Sequence, residues 1–303
     1  MESSGNNQWK KDYFWNTMGS GMSAAFSVFI LLIVTRLMGE YIGGIFAFSY
    51  AVAQQLQTVG QYEIRGYQST DIREFFKFGT YLATRILTCL LMFICAVVYG
   101  LWHEATLEEA AILILVCTIK IFDAFEDVFH GMLQQHNQLY IAGRALFFRL
   151  MTTLLSFVIS LYITRNLILT CCITIVCSTV ALILLNIPQS RRLVSLRPAF
   201  QWNKIRGLLA TCFPLFLGSF ILLYLYNIPK YRMEDYLSKE FQTYYAILFM
   251  PASVVNLFSG FAFKPLLTTL AVNWTEKRIK QFVEILLKGL GIVVLLTAVI
   301  SVG

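Results

Sequence analysis

A chain of 303 residues that is 57% hydrophobic and 14% charged, with a mean hydropathy of +0.66, is too apolar for an ordinary soluble domain. Its formal net charge of +7 would point to nucleic acid if it were gathered on a soluble domain, but it is scattered along apolar sequence. All seven cysteines (Cys89, Cys95, Cys117, Cys171, Cys172, Cys177 and Cys212) lie inside apolar runs without a CxxC pair, so they read as small core residues and not as disulfides or metal ligands.

About 20 helical residues cross a hydrocarbon core of about 30 Å. Lys10 and Lys11 precede an apolar run over 13–38. That run is too long for a cleaved signal and lacks a small-residue cleavage site, so it predicts a first span. Further spans are predicted at 42–64, 78–100, 109–133, 145–164, 167–187, 208–228, 241–263 and 287–303, nine in all with the last cut short. The runs are too long for barrel strands, which leaves an all-α integral membrane protein.

Placing the N-terminus in the cytoplasm puts 17 of the 24 basic residues inside and five outside (Arg36, Arg165, Lys230, Arg232 and Lys239), with Arg85 and Lys120 within spans. This satisfies the positive-inside rule. Trp9, Trp15, Trp102, Trp202 and Trp274 fall at or near span ends, as interfacial anchors do. The loops are short, and none has room for a soluble catalytic domain.

An internal repeat aligns "MGEYIGGIFAFSYAV" (38–52) with "MEDYLSKEFQTYYAI" (233–247) at an offset of 195, matching Tyr41, Phe46, Tyr50 and Ala51 to Tyr236, Phe241, Tyr245 and Ala246. It puts the seam between two halves near residue 206, in a basic linker.

Three spans of the first half carry polar stripes. Lys120, Asp123, Asp127, His130 and Gln134, spaced 3, 4, 3 and 4, share an arc of about 80° at 100° per residue, with Glu126 at its edge. Gln54, Gln57, Gln61 and Arg65 line the second span, and Asn16, Ser20, Ser23 and Ser27 the first. A charge in the bilayer centre costs roughly 2.5–3.5 kcal/mol even on the lenient insertion scale, so these faces turn toward a bundle interior or a wet cavity. Two uses of the α-helical stripe at 120–134 follow from the residues: a cavity wall, or an internal cluster in which Lys120 pairs with Asp123 or Asp127 and locks helices. His103, His130 and His136 show no metal-ligand spacing, and GxSxG, P-loop and GxGxxG motifs are absent, so no enzyme is expected.

The ordered set of features in "WNTMGSGMSAAFSVFILLIVTRLMGEYIGGIFAFSYAVAQQLQTVGQYEIRGYQSTD" resembles the opening of bacterial polysaccharide or O-antigen flippases, of the multidrug/oligosaccharidyl-lipid/polysaccharide exporter superfamily. Asn16, "TRLMG", Gly44, "EIRGYQSTD", "YLATR" with Arg85, and "FDAFEDVFHGMLQQ" carry the likeness, which is strongest over 1–150. The resemblance implies two six-helix bundles related by a pseudo-twofold axis, with a cavity opening alternately to each side. Residues 1–206 would be a complete first bundle and 207–303 part of a second, as in a C-terminally truncated chain.

It further implies flipping of an undecaprenyl-diphosphate-linked oligosaccharide across the inner (plasma) membrane, with an N-terminus in the cytoplasm. Membrane lipid is the other expected partner, and nucleic acid is not one. A monomer, associating with polysaccharide assembly proteins, is implied, with no cofactor beyond a coupling proton or Na+ gradient. A diphosphate needs cations in place of its hydration shell. Lys120, Arg85, Arg36, Arg144 and Arg149 are the candidates for that role, with Asp123, Glu126 and Asp127 tuning Lys120 or carrying coupling ions. Gln54, Gln57, Gln61, Arg65 and Asn16 would line the sugar path. The rival readings are a multidrug/cation antiporter of the same superfamily, a membrane-embedded glycan polymerase or acyltransferase, and a scaffold or non-functional fragment.

Overall fold

The computed structural model describes residues 2–71, 74–104, 106–136, 138–249, 273 and 277–302, and among them there are helices and no strand. The chain divides into two compact units, Met1–Thr243 and Tyr244–Gly303. The first unit contains α1 (Glu2–Met38), α2 (Glu40–Gln61), the short α3 (Ile64–Thr70), α4 (Phe78–His103), α5 (Leu107–Gln135), α6 (Leu139–Thr164), α7 (Leu167–Ser190) and α8 (Trp202–Tyr236). A further helix begins at 239 and is described to 249, and the second unit holds α9 (Ile279–Val302). Most of the span expected at 241–263 lies outside the described residues.

Short connections join α1 to α2, α4 to α5, α5 to α6 and α6 to α7, as between antiparallel neighbours, whereas eleven residues (191–201) separate α7 from α8. Each break has a local cause. Gly39, between α1 and α2, adopts φ +90°, a conformation that costs glycine little and other residues much. Tyr62 and Glu63 turn left-handed and end α2 one turn before the expected boundary, so the "EIRGYQST" stretch starts a separate α3. Asp71 then ties the following loop together by accepting from the Phe75 and Phe76 amides and the Tyr81 hydroxyl. The Thr106 hydroxyl caps α5 by accepting from the Glu109 amide, and Asn166 caps α7 in the same way through the Leu169 amide.

α5 is the hub of the first unit and is packed by α2, α3, α4, α6 and α7. α1 lies along α6, where Gly19 and Gly143 let the two backbones approach; a Cβ on Gly143 would sit 2.5 Å from the Trp15 carbonyl. α8 packs on α2, α3 and α4, with Phe216 stacked on Tyr62 at 4.3 Å between ring centroids.

Five helical stretches are long and apolar enough to cross a membrane by length and composition: Lys11–Met38, Phe78–His103, Leu139–Thr164, Leu167–Ser190 and Trp202–Tyr236. Their outward faces carry exposed aliphatic side chains, such as Leu90, Ile94 and Val98 on α4 and Ile159 and Ile163 on α6. In water such a surface would be untenable, and in lipid it is the expected one. The protein is therefore an all-α, membrane-embedded chain. α2 and α5, also expected as spans, fall outside those five: α2 is rich in glutamine, and α5 carries six acidic or basic residues, of which only Glu108, in its first turn, is exposed.

Candidate functional site

The polar stripe of α5 is the centre of a buried ionic network drawn from five helices. Arg85 of α4 and Arg149 of α6 are essentially inaccessible (0% and 1% exposed), yet both are charged side chains deep in apolar helices. Each is accounted for. Arg85 donates to the Asp127 carboxylate at 2.9 Å and to the Gly60 carbonyl at 2.6 Å, which the Thr88 hydroxyl also reaches. Gly60 can be approached this way because a side chain there would collide with Met92 and Ala124. Arg149 donates to Glu126 and to Asp123, both at 2.6 Å, and lies 3.4 Å from the Ser178 hydroxyl of α7.

The three carboxylates divide the work. Asp127 also takes Arg65 of α3 at 3.3 Å, and Arg65 in turn reaches Gln134. Glu126 also accepts from the Asn186 amide of α7 at 2.9 Å and lies 3.5 Å from His130 Nε2. Asp123 binds Lys120 at 2.8 Å. Of the two expected partners of Lys120, only Asp123 holds it; Asp127, seven residues and about 10 Å further along the helix axis, pairs with Arg65 of α3 and Arg85 of α4 instead. The Lys120 ammonium also lies 4.8 Å from the Tyr50 ring and 5.8 Å from the Phe26 ring, where the ring faces add to its stabilisation.

Three buried basic groups (Arg85, Lys120 and Arg149) thus meet three carboxylates (Asp123, Glu126 and Asp127), and Arg65, its side chain 33% exposed, adds a fourth cation at the edge. Of the other candidates, Gln54, Gln57 and Gln61 are half-buried along α2, whereas Arg36, Asn16 and Arg144 are exposed and stand apart from the network.

A second buried cluster lies about 16 Å further along α5, eleven residues from Lys120 toward its N-terminus. Lys239 is surrounded by Glu104 at 3.2 Å, Glu109 at 3.5 Å and Glu234, one cation among three carboxylates. The Tyr41 hydroxyl donates to Glu109 at 3.0 Å. Burial in the first place, and the neighbouring carboxylates with it, raises the Glu104 carboxyl above its ordinary range against the opposing pull of Lys239. Burial works against the Lys239 ammonium, but the hydrogen bond and charge of Glu234, with Glu104 and Glu109, outweigh it and raise its pKa. Among the described residues, no group of three His, Cys, Asp or Glu is disposed to hold a metal ion.

Sequence reasoning missed Asn186 as a network member, left His130 out of the candidate set and assigned Lys239 to a loop. One signal for Lys239 was present: the repeat offset pairs position 44 with 239 (239 − 44 = 195), and the two touch. A Cβ on Gly44 would overlap the Lys239 carbonyl, the Thr243 hydroxyl donates to the Glu40 carbonyl at 2.7 Å, and the Lys239 ammonium lies 5.7 Å from Phe48, the residue aligned with Thr243.

No family model, curated protein or solved structure matches the chain. Fold and site define its class by themselves: an all-α, membrane-embedded protein with a buried ionic network centred on α5 and a second, acid-rich cluster around Lys239.

Proposed function

We propose that the chain is a polysaccharide-biosynthesis transporter that flips an undecaprenyl-diphosphate-linked oligosaccharide across the cytoplasmic membrane by alternating access. The observation that carries this reading is the charged network buried among α4, α5 and α6, beside which a fourth cation, Arg65 of α3, stays one third exposed. Burying even matched charges is costly, and ionisable groups kept inside a membrane protein normally serve its function. Lys120 is the group to meet the diphosphate: it sits mid-helix, holds a single carboxylate, and is the one simple ammonium among guanidinium groups. The contact between the two copies of the repeat, at the corners around 39–44 and 239–243, supports a pseudo-twofold arrangement of two bundles. The distribution of basic residues supports a cytoplasmic N-terminus. The resemblance of "EIRGYQSTD" and "FDAFEDVFHGMLQQ" to polysaccharide flippases supports the substrate.

A multidrug/cation antiporter is the second reading. The acid excess around Lys239 favours it, since three carboxylates against one ammonium attract a cation and not a diphosphate.

The deciding experiment measures surface glycan and membrane protein level together in a flippase-deficient strain carrying Lys120 variants. Under the flippase reading Lys120→Ala abolishes export while the protein stays inserted, and Lys120→Arg keeps part of the activity. Lys120→Met with Asp123→Asn removes one charge of each sign and leaves Arg149 with Glu126. If that double variant recovers export, Lys120 only locks helices and the diphosphate assignment is wrong.

A further inference from the structure

Arg144 was expected beside the network, but it lies five residues from Arg149 on the outer face of α6, in a groove between α6 and α7. The groove is graded from polar to apolar. α6 has 26 residues, about 39 Å of helix, which matches a whole bilayer including its headgroups. Arg144, five residues in from Leu139, therefore sits about 7.5 Å below the end, where headgroups give way to hydrocarbon. Gln189, next to last in α7, faces the same end of the groove. One turn deeper the walls become Phe148, Leu184 and Leu185, with Phe148 45% and Leu184 66% exposed. Trp15 of α1 packs on Phe148 at 5.9 Å, an aromatic of the type that marks the interface.

The one carboxylate described at this end, Asp12 of α1, accepts from the Tyr140 amide at 2.7 Å and makes no ion pair with Arg144. No carboxylate pairs with Arg144 among the described residues. None is near in sequence either, because 128–233 contains no Asp or Glu. Asp123, Glu126 and Asp127, the last acids before that stretch, are held by Lys120, Arg149, Arg85 and Arg65.

We propose that this groove binds one anionic phospholipid of the surrounding bilayer, with its phosphate on Arg144 and Gln189 and an acyl chain along Phe148, Leu184 and Leu185. A guanidinium is suited to the role, since its fork binds two phosphate oxygens at once. An anionic lipid is favoured over a zwitterionic one, whose own ammonium competes for the phosphate. This site depends on the protein being embedded in lipid and not on what it transports.

The test is native mass spectrometry of the full chain in detergent with added phosphatidylglycerol or phosphatidylcholine. One phosphatidylglycerol should stay bound where phosphatidylcholine does not. Arg144→Ala should cut that occupancy roughly tenfold or more, the scale of a hydrogen bond to a charged group, and Arg144→Lys should fall between. Arg197→Ala and Lys204→Ala, exposed at the same end, should retain the lipid. Equal retention of phosphatidylcholine, or no effect of Arg144→Ala, would overturn the site. Equal losses from Arg197→Ala would mean diffuse charge attraction, and one-for-one displacement by a polyprenyl diphosphate would mean the wrong occupant; either also overturns it.

Discussion

Replacing Arg149 with methionine tests whether the buried network holds the helices together. Arg149 is 1% exposed, with two carboxylate contacts at 2.6 Å. Without it, Glu126 keeps only the Asn186 amide at 2.9 Å and His130 at 3.5 Å, and Asp123 keeps only Lys120. Removing one side of a buried pair costs about 3–5 kcal/mol, because a charge is left without compensation. At about 2–4 °C per kcal/mol, thermal unfolding in detergent, followed by tryptophan fluorescence, should shift down by roughly 6–20 °C. Adding Glu126→Gln removes the stranded carboxylate and leaves Asp123 matched by Lys120, so the double variant should recover more than half of the loss. Lys288→Met provides the contrast. Its partner Glu284 is also 2.8 Å away, but both side chains are more than half exposed, and its removal should not move the midpoint measurably. A shift of less than about 2 °C for Arg149→Met, or a double variant no better than the single, would refute this account of the network.

Three further outcomes follow from the geometry. Cysteine labelling from outside the cell should reach Leu107→Cys and Ser238→Cys, with Ser195→Cys reacting only after permeabilisation; labelling of Ser195→Cys from outside would reverse the topology. Glu104, the natural choice at that end, is unsuitable, since its side chain is 2% exposed and engaged by Lys239. Gly44→Ala should lower the unfolding midpoint by the equivalent of about 1–3 kcal/mol, because its methyl group has to displace the Lys239 backbone; an unchanged midpoint would mean that the two corners are not packed. The raised Glu104 carboxyl contributes stability below the ordinary carboxyl range of about 4.5 that is lost as pH rises through its folded value. Glu104→Gln should therefore flatten the fall in unfolding midpoint from pH 4.5 upward, and an identical pH profile would refute it.

Helix placement was legible because a span writes itself as an unbroken apolar run, and the stripe of α5 was legible because helical spacing fixes which residues share a face. The polar residues of "EIRGYQSTD" also proved purposeful: Arg65 reaches Asp127, Gln68 donates to the Val128 carbonyl and Asp71 ties the loop into α4. Periodicity says which way a side chain faces on its own helix and nothing about which helix it meets. That is why the split of Asp127 toward α4 and Glu126 toward α6 and α7 had to come from packing. Lys239 and Glu104 lie 135 residues apart, and only tertiary structure reveals the pair. Boundaries slipped where helices outrun the hydrocarbon: α8 extends over Trp202–Tyr236, well past the expected 208–228, because the polar ends of a spanning helix stay helical in the headgroup layer.

The ion pairs of α5 also bear on how the chain enters its membrane. Between Leu113 and Met132 the helix brings three carboxylates and one lysine, a net charge of −2, and it cannot neutralise them from its own sequence. The missing cations come from α4, synthesised just before, and from α6, synthesised just after. At roughly 2.5–3.5 kcal/mol per uncompensated charge, α5 gains a stable place in lipid only once Arg149 has emerged from the ribosome. Biogenesis of this region is thus a joint event of three helices, with Arg85 waiting for α5 and α5 waiting for Arg149. Nascent chains halted after residue 138 should leave α5 accessible to water-soluble reagents, whereas chains halted after residue 190 should shield it.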